Sequence, residues 1–347
     1  MKIALISFSR NGALLSKKIG EFLEKGNDKV TIAIKSAYIE GSIEESVKEW
    51  TKKQFPIQDA ILFVGAAGIA VRSIAPMVES KCKDPAVLVI DEKGTYCIPI
   101  LSGHIGGANA LAQRLSQTFG MEPVITTATD IQGKWAVDVF ATQNHLQIQN
   151  MKKAKEISAR ILVGEKLRYQ IEEKIPVKGN CPEEILLMKE SGEKDEPDIY
   201  SGIYQHPEWK KTLFLVPKAV ILGIGCKKGT DMRLIEQVVE EALQAEYINK
   251  AAIKKAASID LKAKEQGILD YCEKYHLDFQ TFPSETLQKI DGAFTTSDFV
   301  KKITGVDNIC ERSALCASEG GRLLSKKYAK NGVTVAFAEE KWEVAFE

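Results

Sequence analysis

The chain has 347 residues, 44% hydrophobic and 27% charged; this is globular composition, longer than one hydrophobic core usually serves, so two or three domains are expected. Lys plus Arg and Asp plus Glu both number 47, and a neutral chain carries no global field for nucleic acid or an anionic membrane surface. Seven scattered cysteines without a CxxC pair and four dispersed histidines argue against a disulfide framework and a protein-built metal site.

The opening MKIALISFSRNGALL breaks its apolar run with Ser7, Ser9, Arg10 and Asn11. It therefore reads as a first core strand and not as an export signal. No apolar stretch is long enough to span a bilayer, and a cytoplasmic protein with reduced thiols is expected. Strands are predicted at 2–8, from Val30, at 60–64, from Pro85 and from Thr95, with helices at 11–23, 42–53 and 107–119 before PVITTATD. Short apolar strands alternating with amphipathic helices predict a mostly parallel sheet covered on both faces, a three-layer α/β domain over about residues 1–140.

Residues 141–217 are richer in Lys, Glu, Gln and Asn and read as a small, irregular α/β region or linker domain. ARILVGE and EILLMKE are its expected short strands, KGNCPEE and SGEKDEPDIYSG its loops, and no catalytic pattern stands out. AVILGIG from Ala219 restarts the α/β rhythm as a C-terminal domain over 218–347. Thr230 is the expected cap of the helix DMRLIEQVVEEALQAE, with Asp231 adding negative charge to its first turn. IKKAASIDLKAKEQGILDYCEKYH, TSDFVKKITG and ERSALCASEGGRLLSKKY are read as helices, and VTVAFAEE as a closing strand.

Three glycine-containing or hydroxyl-rich segments follow predicted strands of the first domain: GAAGIAVR (65–72), SGHIGGAN (102–109) and TTATD (126–130). In a parallel sheet the strand carboxyl ends share one edge with helix N-termini, so all three are expected to converge on one crevice. Gly65 and Gly68 permit close backbone approach with Arg72 one turn on, or simply tight packing. It is not a dinucleotide fingerprint. Gly103, Gly106 and Gly107 flank His104 at a helix opening, with Ser102 and Asn109 at the borders; an imidazole there suits proton transfer, or a structural hydrogen bond. The segment is not a GxSxG elbow, which disfavours Ser102 as a nucleophile. Thr126, Thr127, Thr129 and Asp130 are either ligand contacts or a helix-cap cluster.

The C-terminal domain has its own glycine turn, GIGCKKGT (223–230), without Walker spacing. Gly225 and Gly229 flank Lys227 and Lys228, which suit an anionic ligand or a solvated loop. Cys226 is a reactive thiol or small buried packing. ASID with Lys262 and Glu265 is a loop-to-helix junction. In NICERSAL, Glu311 is a dipole-favoured carboxylate or a general base.

On these residues the sequence resembles the cobalamin biosynthesis protein CbiG family, cobalt-precorrin-5A hydrolase. GAAGIAVRxIAP, DPAVLVIDEKG, LSGHIGGAN and PVITTATD look like its N-terminal region; GIGCKKGT, ASIDxKxxE, VDNICERSAL and GVTVAFAEE look like its C-terminal region. The resemblance implies hydrolysis of the lactone of a cobalt-containing, ring-contracted tetrapyrrole, with departure of a two-carbon fragment as acetaldehyde. It implies no added cofactor, since the cobalt arrives with the substrate. His104 is the expected base, with Asp130 or Glu311 as the next candidates, and the N–H groups of Gly106 and Gly107 are the expected oxyanion donors. Arg72, Lys227 and Lys228 are expected to meet the macrocycle's carboxylates. A homodimer and transient contact with neighbouring pathway enzymes are compatible with this role. A phosphate-binding α/β enzyme and a corrinoid carrier are the alternatives.

Overall fold

Alternation along β1 (Lys2–Ser7) sets the first layer arrangement: Ile3 and Leu5 face one apolar cluster, Ala4 and Ile6 the other. β3 (Ala60–Val64) and β4 (Ala86–Ile90) are likewise buried at every position, as strands covered on both faces must be. The computed structural model describes residues 1–80, 83–188 and 196–346. It divides into two compact units, Met1–Val139 and Phe140–Glu347, and among the described residues no helix is long and apolar enough to cross a membrane.

In the first unit, α1 (Arg10–Lys25), β2 (Lys29–Ile34), α2 (Val47–Gln54), α3 (Ala67–Ile74), β5 (Tyr96–Leu101), α4 (Ala108–Phe119), β6 (Glu122–Pro123) and α5 (Ala128–Ile131) complete the secondary structure up to α6 (Val137–Gln143). α1 starts where Ser9 accepts the Gly12 N–H. α2 starts later than the sequence pattern predicts, because Ser46 and Glu49 form a capping box. The sheet order is β2-β1-β3-β4-β5-β6. Every pairing is parallel except β4 with β5, which is antiparallel. α1 and α4 bury Ile19, Leu23, Leu111 and Leu115 against one sheet face, and α2 and α3 bury Trp50 and Ile74 against the other. The mixed α/β class and the three layers are as expected.

The second unit holds β7 (Leu146–Ile148), α7 (Met151–Leu162), β8 (Leu167–Ile171), β9 (Val177–Gly179), β10 (Ile185–Leu187), β11 (Ile199–Ser201) and β12 (Leu213–Pro217). Five of these strands form one sheet, ordered β10-β8-β11-β12-β7. ARIL, expected as a strand, is the end of α7, whose buried Ala154, Ile157 and Ile161 recur at helical spacing. Residues 189–195, part of the expected EILLMKE strand and of the loop after it, lie outside the described residues. There follow β13 (Val220–Cys226), α8 (Met232–Ala245), β14 (Ile253–Ile259), α9 (Gln266–Tyr275), β15 (Asp278–Phe282), α10 (Ser284–Gln288), α11 (Asp298–Thr304), α12 (Cys310–Ala317), β16 (Arg322–Leu323), β17 (Tyr328–Lys330), β18 (Val333–Glu339) and β19 (Val344–Phe346).

Their main sheet runs β15-β14-β13-β18-β16. Two expected helices are corrected here. IKKAASI is strand β14, its inner half buried between β13 and β15, and the helical part of ERSALCASEGGRLLSKKY stops at Ala317 before β16 and β17. Asp231, rather than Thr230, caps α8 by accepting the Arg233 N–H; the Thr230 hydroxyl donates to the Lys227 carbonyl. α12 lies close over β13 because Gly223 has no side chain: a Cβ there would stand 1.9 Å from the Cys310 carbonyl oxygen.

Candidate active site

The reversed β5 decides which motifs meet. Leu101 pairs with Val87, whereas Val64 pairs with Ile90, so the loop after β5 leaves the sheet at the amino end of β4. The loop after β3 leaves at the opposite edge. Three residues of strand separate the two, about 10 Å at the usual rise per residue. The expected convergence of all three motifs therefore does not occur. Gly65, Gly68 and Arg72 stand at one edge, where the Arg72 guanidinium folds back to within 3.2 Å of a Cβ position at Gly68. SGHIGGAN and TTATD, the latter following β6 parallel to β5, share the other edge.

At that edge the chain makes a tight loop. Ser102 adopts a φ of 55° and its hydroxyl donates to the Asp84 carbonyl at 2.9 Å. Gly106 passes so near that a Cβ would lie 2.3 Å from the Ser102 Cβ. The N–H groups of Gly107, Ala108 and Asn109 donate to the carbonyls of His104, Ser102 and Gly103 at 2.9, 3.1 and 2.9 Å. The Gly107 N–H, expected as an oxyanion donor, is thus already committed to the His104 carbonyl.

This loop holds His104 between two carboxylates. Its Nε2 lies 2.8 Å from Asp130 Oδ2 and its Nδ1 3.2 Å from Asp138 Oδ1. The Asn109 side-chain amide donates to the same Asp130 oxygen at 2.8 Å and to Thr127 Oγ1 at 3.2 Å, while Thr129 Oγ1 stands 3.4 Å from Nε2. Ionised carboxylates only accept, so a ring between two of them is satisfied when both nitrogens donate, that is, as imidazolium. The hydrogen bond to Asp138 accordingly raises the His104 pKa above its ordinary value, against the lowering by burial, and Asp130 adds to the rise. The imidazole side chain is 13% exposed and Asp130 30%, with Asp138 more deeply buried. An imidazolium held in this way has a proton to give and must lose it before it can act as a base. Asp138 escaped the sequence reading: it lies 34 residues from His104, on α6, in a segment with no glycine or hydroxyl signature. Thr126 belongs to the linker into α5.

In the second unit the parallel strands β13, β14 and β15 do bring their carboxyl ends together. Gly229 N–H donates to Glu265 Oε1 at 2.6 Å, and Lys262 Nζ to Glu265 Oε2 at 2.8 Å. The Ser258 hydroxyl donates to the Ile224 carbonyl at 2.6 Å. Gly225 makes room for Thr334, whose hydroxyl would be 2.6 Å from a Cβ there. Lys227 and Lys228 are exposed on this edge. Burial raises the Cys226 thiol pKa, which disfavours the reactive thiolate. Glu311 is fully buried and accepts the N–H groups of Thr295 and Lys327 at 3.0 and 2.6 Å. It ties two loops to the start of α12.

Comparison with known proteins follows the same two regions. Residues 49–130 match the family model described as cobalamin synthesis G N-terminal, and residues 220–338 match cobalamin synthesis G C-terminus. A cobalt-precorrin-5A hydrolase of Salmonella typhimurium is 34% identical over 300 residues, covering 82% of this chain and 83% of that protein. One from Priestia megaterium is 27% identical over 374 residues, covering 96% and 94%. A solved structure of a cobalamin biosynthesis protein G homolog from Sulfolobus solfataricus covers 98% of this chain and 97% of its own at 25% identity, with a TM-score of 0.41. With the two family regions in order and a curated relative matched along most of both lengths, this chain belongs to the cobalamin synthesis G (CbiG) family.

Proposed function

We propose that this chain is a cobalt-precorrin-5A hydrolase, a cobalamin-pathway enzyme that opens the substrate's lactone and releases acetaldehyde. The observation that carries the chemistry is His104 bonded at both ring nitrogens to carboxylates. Asp130, the more open of the two carboxylates, takes a proton from the water that attacks the lactone carbonyl. The Gly106 N–H meets the developing oxyanion. As the acyl C–O bond breaks, His104 gives its Nε2 proton to the departing alkoxide. The imidazole, now neutral, takes that proton back from the freed hydroxyl. The adjacent C–C bond then breaks, its electron pair enters the conjugated macrocycle, and the two-carbon fragment leaves as acetaldehyde. One water enters; its hydroxyl becomes part of the new carboxyl group, Asp130 releases the proton it took to solvent, and His104 ends as it began.

No cofactor is needed in this scheme, because cobalt comes with the substrate and the ring accepts the electron pair. Lys227 and Lys228 suit the macrocycle's peripheral carboxylates. The setting is the cytoplasm, where the product passes to neighbouring enzymes; sedimentation velocity tests for a homodimer. The central experiment is acetaldehyde release from cobalt-precorrin-5A under anaerobic conditions. General acid–base catalysis contributes ~10²–10⁴-fold, so His104→Gln is expected to lose turnover on that scale while still binding substrate. Near-normal turnover in that variant makes His104 an orienting residue only, and spectral binding of the corrinoid without acetaldehyde from the wild type makes the protein a carrier.

A further inference from the structure

A polar cavity of about 680 Å³ lies in the second unit, and none of the residues named in the reaction above lines it. Its size is that of a small-molecule site. The residues after β8, the loop after β11, the turn after α8 and Arg322 of β16 line it.

Glu172 is the unusual wall. It is 7% exposed, and its Oε2 accepts the Ile203 N–H at 2.7 Å. Its Oε1 is buried and, among the described residues, accepts no hydrogen bond. Arg322 Nη2 is 3.6 Å from that oxygen, close enough for charge attraction but too far for a hydrogen bond. The reason is that the guanidinium is turned to another buried carboxylate, Glu339, with Nε at 2.7 Å and Nη2 at 2.6 Å. Glu339 also takes the Trp342 indole N–H at 2.7 Å. Two buried carboxylates therefore share one guanidinium, and it serves the other one. A buried anion without a partner is costly. Consistently, burial pushes the Glu172 carboxyl up to about 7, the Ile203 N–H and Arg322 opposing and Glu339 assisting.

The charged groups of the lining are mixed but mostly acidic, and Arg322, one of its two permanent cations, is already held by Glu339. Glu173, Glu208 and Glu246 outnumber Lys174, and the rings of Tyr200, Tyr204 and Tyr247 border the space. Gly202 allows this closeness: a Cβ there would be 2.3 Å from the Tyr200 hydroxyl and 2.7 Å from Glu172 Oε2.

We propose that this cavity binds a small organic cation, a primary ammonium or amidinium, whose N–H groups donate to Glu172 Oε1 while its charge rests among the tyrosine rings. A charged donor supplies the missing partner of the buried oxygen, and ring quadrupoles attract the same charge. A carboxylate ligand would meet four glutamates against Lys174 and an Arg322 already paired with Glu339, and a neutral one would leave the excess charge uncompensated.

The test is calorimetric and ligand-observed NMR titration of the full chain with propylammonium chloride, with sodium propionate and propan-1-ol as probes of matched size. Saturable binding of propylammonium is expected, at least tenfold tighter than either control. Glu172→Gln is expected to weaken it tenfold or more, and His104→Ala to leave it unchanged. Should Glu172→Gln not fold, Tyr247→Ala decides, since that side chain is 60% exposed; it too is expected to weaken binding. Absence of saturation, equal binding of propionate or propanol, or undiminished binding in a folded Glu172→Gln protein overturns the proposal. If folded Tyr247→Ala binds as the wild type does, the tyrosine part of the site is overturned.

Discussion

Replacing Asp138 by Asn keeps its shape and removes its charge, so the variant isolates what that carboxylate does for His104. In the folded protein the pair is 3.2 Å apart, longer than the usual charge-assisted bond of about 2.7–2.9 Å. A hydrogen bond to a charged group is worth about 1.5–3 kcal/mol, and a neutral one about 0.5–1.5 kcal/mol. The variant should thus lose on the order of 1 kcal/mol of imidazolium stabilisation, which is roughly a fivefold to tenfold fall in kcat. Asp138→Ala additionally strands a shielded ring N–H, and its loss should be greater. The assay is acetaldehyde release at saturating cobalt-precorrin-5A. It is paired with an NMR titration of the His104 ring, whose pKa should move down toward the ordinary value. Asp138 touches no substrate in this scheme, so KM should hold while kcat falls. Unchanged kcat and an unmoved His104 titration in a folded Asp138→Asn protein would refute the assignment, and so would a rise in KM alone.

Three further outcomes follow from the geometry. Gly106→Ala puts a Cβ 2.3 Å from that of Ser102, so the loop must shift; overpacking of this kind costs about 1–3 kcal/mol, and turnover should fall more than thermal stability, as read by comparing kcat with Tm. The raised His104 pKa makes its contribution to stability complete below the ordinary value of 6.5 and lost as pH rises through the higher folded value; the Tm difference between wild type and His104→Gln should therefore shrink with rising pH, and a difference that grows would contradict the imidazolium. Lys227→Ala with Lys228→Ala should weaken binding of a corrinoid carboxylate most at low salt, whereas equal affinity at low ionic strength would return both lysines to an unliganded surface.

Periodicity made the layers of the first unit legible, because strands such as AILFV are apolar at every position. It carried no information about direction. TYCIPIL reads as a strand whichever way it runs, and counting it among the parallel strands of a mostly parallel sheet put three motifs on one edge. A signal was nevertheless present. Only residues 91–95 join β4 to β5, and a parallel crossover needs a dozen or more. Asp91 accepting the N–H groups of Lys93 and Tyr96, with Gly94 at a φ of 71°, is the resulting hairpin turn. His104 and Asp130 were legible because glycines and hydroxyls cluster around them. Asp138 and Glu172 were not, since each is a lone acid whose meaning depends on a partner distant in sequence. Glu311 misled for the opposite reason: its motif is conspicuous, yet its two oxygens hold backbone.

The β4–β5 hairpin also makes the first unit two-ended. Changes at positions more than about 7–10 Å apart with no shared partner usually act additively, and the two glycine turns meet that condition across the sheet. Alterations around Gly65, Gly68 and Arg72 can therefore accumulate without retuning the proton on His104. Within the histidine loop the reverse holds: Ser102, Gly106, Asn109 and Asp130 share hydrogen bonds or van der Waals space, so a change at one alters the effect of a change at the next. One strand reversal thus leaves one edge free to vary position by position and obliges the other to vary as a set.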